Sequence, residues 1–171
     1  MLGVAHHPLV VYLAGEIHTD WRDELRAAVE RRDLCVSLVS PVTEHSASDH
    51  CAHTLIAERE SGFWGDQASA GINAIRTRTL IARADVVVAR FSLRYVDYYE
   101  WNSAFDAGRA AALGKPLITL HPSELDHPLK EVDRGALAVA RDAEQVAAIL
   151  AYTFSDLTSG EVLAAGSGAA A

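Results

Sequence analysis

The segment Glu100-Trp-Asn-Ser-Ala-Phe-Asp-Ala-Gly-Arg-Ala-Ala-Ala-Leu-Gly-Lys-Pro-Leu117 decides the fold. An apolar run, Val86 to Phe91, precedes it and another, Leu117 to Leu120, follows it. A helix of small residues between two strand-length apolar runs reads as a βαβ crossover. The Ala and Gly at positions 107, 108, 110, 111 and 112 predict close packing of that helix on a sheet. Two carboxylates, Glu100 and Asp106, stand at its mouth.

The same grammar extends in both directions. Leu9 to Ala14 is a continuous apolar run closed by Gly15, the pattern of a strand buried on both faces followed by a turn that brings backbone close to something. Trp21, Leu25, Ala28 and Val29 recur at helical spacing, with Arg22, Asp23, Arg26 and Glu30 on the opposite face. Leu34 to Val39 is a second strand. From Thr43 to about Ala70 periodicity is lost and His, Ser, Asp and Gly accumulate, which predicts a functional loop or lid with a short helix near Thr54 to Glu60. Ile72, Ile75, Leu80 and Ile81 mark a helix leading into Val86. Beyond Leu120 a polar loop runs through His127-Pro128 to a weak strand, Ala136 to Val139, and a last helix from Ala143 to Phe154. This alternation predicts a single α/β domain over residues 1–158: one doubly wound, open parallel sheet of about five strands in a flavodoxin-like or Rossmann-like three-layer sandwich, with its ligand site beyond the carboxyl ends of the strands. Residues 159–171, rich in Gly, Ser and Ala, read as a disordered tail.

Composition narrows the function. The chain carries 15 Lys and Arg against 23 Asp and Glu, a formal charge of −8, with no basic run to track a phosphate backbone. Nucleic acid and membranes are therefore excluded as expected partners. No apolar run approaches the roughly 20 residues of a membrane span, no secretory leader is legible, and Cys35 and Cys51 read as unpaired thiols, so the expected compartment is the cytoplasm. His45, His50, Cys51 and His53 follow no zinc-module spacing, and the loops lack the dense Gly, Ser and Thr of a phosphate cradle; no metal and no cofactor is expected. His121 and His127, each followed by Pro, read as loop-shaping residues.

Two readings of Asp106 are open. Ser103-x-x-Asp106 has the spacing of a capping box, with Ser103 as N-cap and Asp106 in the first turn; a carboxylate there is also kept ionised by the helix's positive end, as a nucleophile requires. Glu100 either folds back over the same mouth or is merely solvated. Gly15, Glu16 and His18 form either an ordinary βα turn or a close-approach loop, and Tyr12 is a core residue whose hydroxyl reaches toward the site. Asp66, Asn73 and Arg76 form either a solvated helix face or part of the site, Asn73 and Arg76 lying at i and i+3.

Tyr-Leu-Ala-Gly at 12–15, Ala-Asp-Val-Val-Val-Ala at 84–89 and Ala-Gly-Arg-Ala-Ala-Ala-Leu-Gly-Lys-Pro at 107–116 resemble the nucleoside 2-deoxyribosyltransferase superfamily. Tyr-Leu-Ala-Gly-Glu-Ile-His at 12–18, Trp-Asn-x-Ala-x-Asp-Ala at 101–107 and His-Pro-Leu-Lys-Glu at 127–131 are similar to its YtoQ-type branch, the resemblance covering about residues 9–154. The superfamily's motif is Asp-x-Gly-Thr/Ser-x-x-Glu, with Glu as nucleophile and the Asp assisting. Here Asp106 falls at the Glu position and Glu100 at the Asp position, while Asn102 and Ser103 replace Gly and Thr or Ser.

The resemblance implies carboxylate-assisted attack at C1′ of a nucleoside or nucleotide-like compound, with Asp106 and Glu100 catalytic. Tyr12, Gly15, Glu16, His18, Asp66, Asn73, Arg76, Trp101 and Asn102 are the expected substrate-binding residues, with Arg76 pairing with an acid or with a substrate anion. The altered motif favours hydrolysis over transfer, and superfamily membership implies a homo-oligomer. The competing class is a non-catalytic ligand-binding or regulatory domain on the same fold.

Overall fold

The structure, a computed structural model, describes residues 8–57, 62–93 and 100–158. Five parallel strands, β1 (Leu9–Ala14), β2 (Val36–Val39), β3 (Val86–Arg90), β4 (Leu117–Leu120) and β5 (Ala138–Ala140), stand in the order β2-β1-β3-β4-β5. This is the expected doubly wound sheet. Alternation along the strands sorts side chains onto two faces. Val11 and Leu13 of β1, Val86 and Val88 of β3, and Ile118 and Leu120 of β4 join one core with helices α1 (Trp21–Glu30) and α7 (Ala143–Thr158). Tyr12, Ala14, Val87, Ala89 and Leu117 point the other way, against α4 (Phe63–Arg83), α5 (Trp101–Ala112) and α6 (Asp126–Gly135). Because both faces are covered, the strands read as unbroken apolar runs, which is why their positions were legible.

Four expectations need correction. The region from Thr43 to Ala70 is largely helical: α2 (His45–Asp49) and α3 (Cys51–Ile56) precede α4, which begins at Phe63 rather than near Ile72. Their helical faces carry Ser, Asn, Asp and Thr toward a cavity instead of apolar groups toward a core, so no apolar period announced them. The polar stretch after β4 is a 3-10 turn (Ser123–Leu125) followed by α6, and β5 begins at Ala138, not Ala136. Helix α5 starts at Trp101 with Glu100 as its N-cap, so Ser103 is a buried residue inside the helix and Asp106 lies in the second turn. The capping-box reading of Ser103 and Asp106 is thereby removed. Of the small residues on α5, only Ala107 and Ala110 are buried against the sheet; Gly108, Ala111 and Ala112 are exposed.

The expected short helix near Thr54 to Glu60 overlaps α3, which ends at Ile56; the expected positions 58–60 lie outside the described residues, as does the tail 159–171. Cys51 is buried, its Sγ donating to Ser69 O at 3.5 Å, and Cys35 is exposed; both are free thiols. Among the described residues no helix is long and apolar enough to cross a membrane.

Candidate active site

In a sheet of this order the connections leave in opposite directions from β1 and β3, opening a crevice beyond their carboxyl ends. A cavity of about 560 Å³ occupies that crevice. Its walls are the loop after β1, the segment after β2, α2, and one face each of α4 and α5. Asn102, Ser103, Asp106 and Arg109 contribute from α5, spaced as one helical face requires. Asp66, Ser69, Asn73 and Thr77 form the facing stripe on α4.

Asp106 is anchored from the sheet: the hydroxyl of fully buried Tyr12 donates to its Oδ2 at 3.0 Å. Tyr12 itself is held by core packing, and the Thr77 side chain of α4 stands beside the same hydroxyl. Burial pushes the Asp106 carboxyl up to about 6, against the lowering pull of the Tyr12 hydrogen bond and the Arg109 charge. The expectation that the helix N-terminus holds Asp106 ionised is therefore corrected: in the second turn burial outweighs any dipole effect. Burial also raises the Tyr12 hydroxyl, reinforced by the neighbouring Asp106 charge.

Glu100 caps the same helix from the other side of the mouth. Its Oε2 accepts the Ser92 amide at 2.9 Å, while Oε1 is buried without a hydrogen-bond partner among the described residues. Burial lifts its carboxyl to about 7, only partly offset by the Ser92 bond and Arg90. Two carboxyls on one cavity thus sit near neutrality, one with its oxygen anchored and one with an oxygen uncommitted.

The loop after β1 is built by cations absent from the expected site. Arg22 was placed on a solvent face, yet its guanidinium is buried and donates to Glu16 O at 2.6 Å and Gly15 O at 2.9 Å. Burial brings it down to about 10, still protonated at neutral pH. Trp21 Nε1 donates to Glu16 O at 3.1 Å. Gly15 has φ +153°, and a Cβ there would lie 2.7 Å from Trp21 Cζ2, so the loop passes where only glycine fits. The Glu16 carboxylate accepts from the His18 amide at 2.6 Å, the Thr19 amide at 3.0 Å, the Thr19 hydroxyl, and Arg90 Nη1 at 2.5 Å. Burial alone would raise it, but the Thr19 and His18 hydrogen bonds and Arg90 hold it below the usual carboxylate range. Glu16 lines the cavity, yet its oxygens are committed to ordering the loop rather than to a ligand.

Of the expected residues, Gly15, Glu16, His18, Asp66, Asn73, Glu100, Asn102 and Asp106 line this one cavity. Tyr12 reaches it only through Asp106. Asn73 donates to Ser48 O at 2.9 Å and fastens α4 to α2. Besides Tyr12, two residues fall outside the cavity lining. Arg76 donates to Ser40 O at 3.2 Å at the end of β2 and does not pair with either acid, because the helical stripe through Asp66 and Asn73 continues to Thr77. Trp101 is 72% exposed on the outer side of α5.

Sequence reading missed Arg78, Arg90 and Arg109. A polar period from Asp66 through Ser69, Asn73 and Thr77 was the available signal for the α4 wall; Arg90, ending an apolar strand, offered none. The rings of His18 and His45 stand 5.5 Å apart at the rim, and among the described residues no group of three or more His, Cys, Asp or Glu is arranged to hold a metal. His121, away from this cavity, is buried at the end of β4 with Nε2 3.0 Å from Asp133 Oδ1.

Comparison with known proteins follows the same lines. Residues 12–154 match the family described as nucleoside 2-deoxyribosyltransferase YtoQ. The chain is 37% identical over 145 residues to a Bacillus subtilis (strain 168) protein described as uncharacterized protein YtoQ, covering 85% of this chain and 96% of that one. Among solved structures, a conserved protein from Enterococcus faecalis V583 shares the fold with a TM-score of 0.57 at 12% identity, covering 86% of this chain and 99% of that one. A 2-deoxyribosyltransferase from Bacillus psychrosaccharolyticus aligns at 18% identity with a TM-score of 0.48, over 87% of this chain and 96% of that one.

Proposed function

The chain belongs to the nucleoside 2-deoxyribosyltransferase YtoQ family, and from that premise we propose that it cleaves the N-glycosidic bond of a nucleoside or nucleotide-like substrate, with Asp106 as nucleophile and Glu100 as general acid and base. The observation that carries this reading is that both acids line one crevice in opposite settings: Asp106 is fixed by Tyr12, and Glu100 keeps Oε1 uncommitted.

In the first step an Asp106 oxygen forms a bond to C1′ as the C1′–N bond breaks. The bonding pair leaves with the base nitrogen, which takes the proton of Glu100. In the second step Glu100, now a carboxylate, removes a proton from water; the water oxygen bonds to C1′, and the electron pair of the C1′–O bond returns to Asp106. The sugar is released and both groups return to their starting states. The transition states resemble an oxocarbenium ion, which the buried carboxylate stabilises through space. The carboxyl near 6 is largely ionised and the one near 7 half protonated at neutral pH, which is the division of labour two such acids need. Water is the acceptor in this proposal, hence hydrolysis rather than transfer, because the nucleophile is shorter and helical Asn102 and Ser103 stand where the superfamily has Gly and Thr or Ser.

Exposed apolar side chains at Leu55, Ile56, Phe63, Trp64, Trp101 and Phe105 support a homo-oligomer joined on the α3, α4 and α5 side, which sedimentation equilibrium tests. The function is tested by incubating the protein with a panel of nucleosides and nucleotides and following free base by chromatography. Base release that disappears in Asp106→Asn, with binding retained, supports the enzyme. Tight binding of one member with no release from any favours a non-catalytic binding domain.

A further inference from the structure

Tyr12 sets the level of Thr77 on α4 against Asp106 on α5, since its hydroxyl donates to Asp106 and Thr77 stands beside that hydroxyl. The two helices run in the same direction, both antiparallel to the strands, because α4 feeds into β3 and α5 leads out of it. Arg78, one residue beyond Thr77, and Arg109, one turn beyond Asp106, therefore enter the cavity from opposite walls on the same side of the nucleophile. Among the described residues neither guanidinium forms an ion pair or a hydrogen bond, and the Nε of Arg109 is buried without a partner. The Arg109 guanidinium is seated 5.3 Å from the Phe105 ring, which limits its rotamer freedom.

The other end of the cavity has the opposite character. Asp66 lies on α4 about 18 Å along the helix from Arg78, at ~1.5 Å per residue. The crevice thus has an acid, Asp66, near the start of α4 and two cations beyond Asp106.

Resting on the glycosidic reading above, we propose that Arg78 and Arg109 form a subsite for the 5′-phosphate of the substrate, making it a nucleoside 5′-monophosphate rather than a free nucleoside. With C1′ at Asp106, the 5′-phosphate is separated from the reacting carbon by the ring oxygen, C4′, C5′ and O5′, a reach comparable with the 5–6 Å that separates side chains one turn apart on a helix. Two guanidiniums from opposite walls match a dianion, which a neutral 5′-hydroxyl does not need. The base then extends toward the acidic end.

The test uses matched pairs, each a nucleoside and its 5′-monophosphate, for base release, together with calorimetric binding of ribose 5-phosphate, ribose and inorganic phosphate. The expected result is a kcat/KM at least tenfold higher for monophosphates, binding of ribose 5-phosphate but not ribose, and at least a tenfold rise in monophosphate KM in Arg109→Met. Arg78→Gln, at an exposed helix position, gives the same direction and answers the case in which Arg109→Met fails to fold. Equal turnover of both members of every pair, with no binding of ribose 5-phosphate, overturns the subsite and leaves the glycosidic reading standing. Arginine-dependent binding of ribose 5-phosphate with no base release from any member supports the subsite and sinks the glycosidic reading. Base release that requires added inorganic phosphate and yields a sugar 1-phosphate overturns the 5′ assignment.

Discussion

Replacing Tyr12 by Phe removes a single hydroxyl from a fully buried ring, and the hydrogen bond it breaks is the one to the nucleophile. The ring keeps its packing in the core formed by β1, β3, α4 and α5, while Asp106 loses the 3.0 Å hydrogen bond that favours its charged form. A hydrogen bond to a charged acceptor contributes about 1.5–3 kcal/mol, or about 1–2 pKa units. A shift of about 1.5 units moves Asp106 from about 6 to roughly 7.5. With Glu100 at about 7, the fraction of molecules holding Asp106 ionised and Glu100 protonated falls roughly fifteenfold at pH 6 and less than twofold at pH 8.

The assay is kcat/KM for base release against pH in both proteins, because that parameter reports the free enzyme. The unmodified chain should give a bell with limbs near 6 and 7; in Tyr12→Phe the acidic limb moves up and the maximum drops. A uniform loss at every pH would show that Tyr12 acts through packing alone. An unchanged profile would show that its hydrogen bond to Asp106 plays no part in turnover.

Other perturbations separate the remaining parts of the site. Glu100 ordinarily titrates at 4.5 and is raised to about 7, so the folded chain binds the extra proton between those values, and stability present below pH 4.5 is lost as pH rises through 7. After solvent screening this corresponds to roughly 1–2 kcal/mol; Glu100→Gln should abolish base release and gain that much more stability over the native chain at pH 8 than at pH 4 in urea titrations. An identical stability difference at both pH values would contradict this account of Glu100. Arg90→Met strips the partner from Glu16, whose side chain is 3% exposed, and should cost about 3–5 kcal/mol. In whatever folds, the basic limb of the pH profile should move upward, since Arg90 lowers and Glu16 raises the Glu100 carboxyl; a downward shift would refute the assigned couplings. Gly15→Ala forces a Cβ to 2.7 Å from Trp21 Cζ2 at φ +153° and should destabilise by about 1–3 kcal/mol, read as a lowered Tm. An unchanged Tm would mean that Trp21 yields freely.

Much of the architecture was legible because burial on both sheet faces writes itself into composition. Leu9–Ala14 and Leu117–Leu120 are strands wherever one looks for apolar runs of that length, and the βαβ crossover between Val86 and Leu120 follows from small residues at helical spacing. The helices that wall the cavity were harder to see. Their inward faces, such as Asp66, Ser69, Asn73 and Thr77, are polar because they line a crevice, so the period that betrays a helix by its hydrophobicity was missing.

By itself the sequence determined the sheet, its two faces, the position of the crevice and the presence of Glu100 and Asp106 beside it, since each depends on local pattern and chain order. Only the tertiary structure decided what those acids are. That Asp106 receives Tyr12 from a strand 94 positions away, that Glu16 is consumed by Arg90, and that Arg78 and Arg109 line one cavity all depend on elements distant in sequence. The burial that moves a carboxyl to neutrality is a property of the packed neighbourhood, and no residue type or spacing carries it.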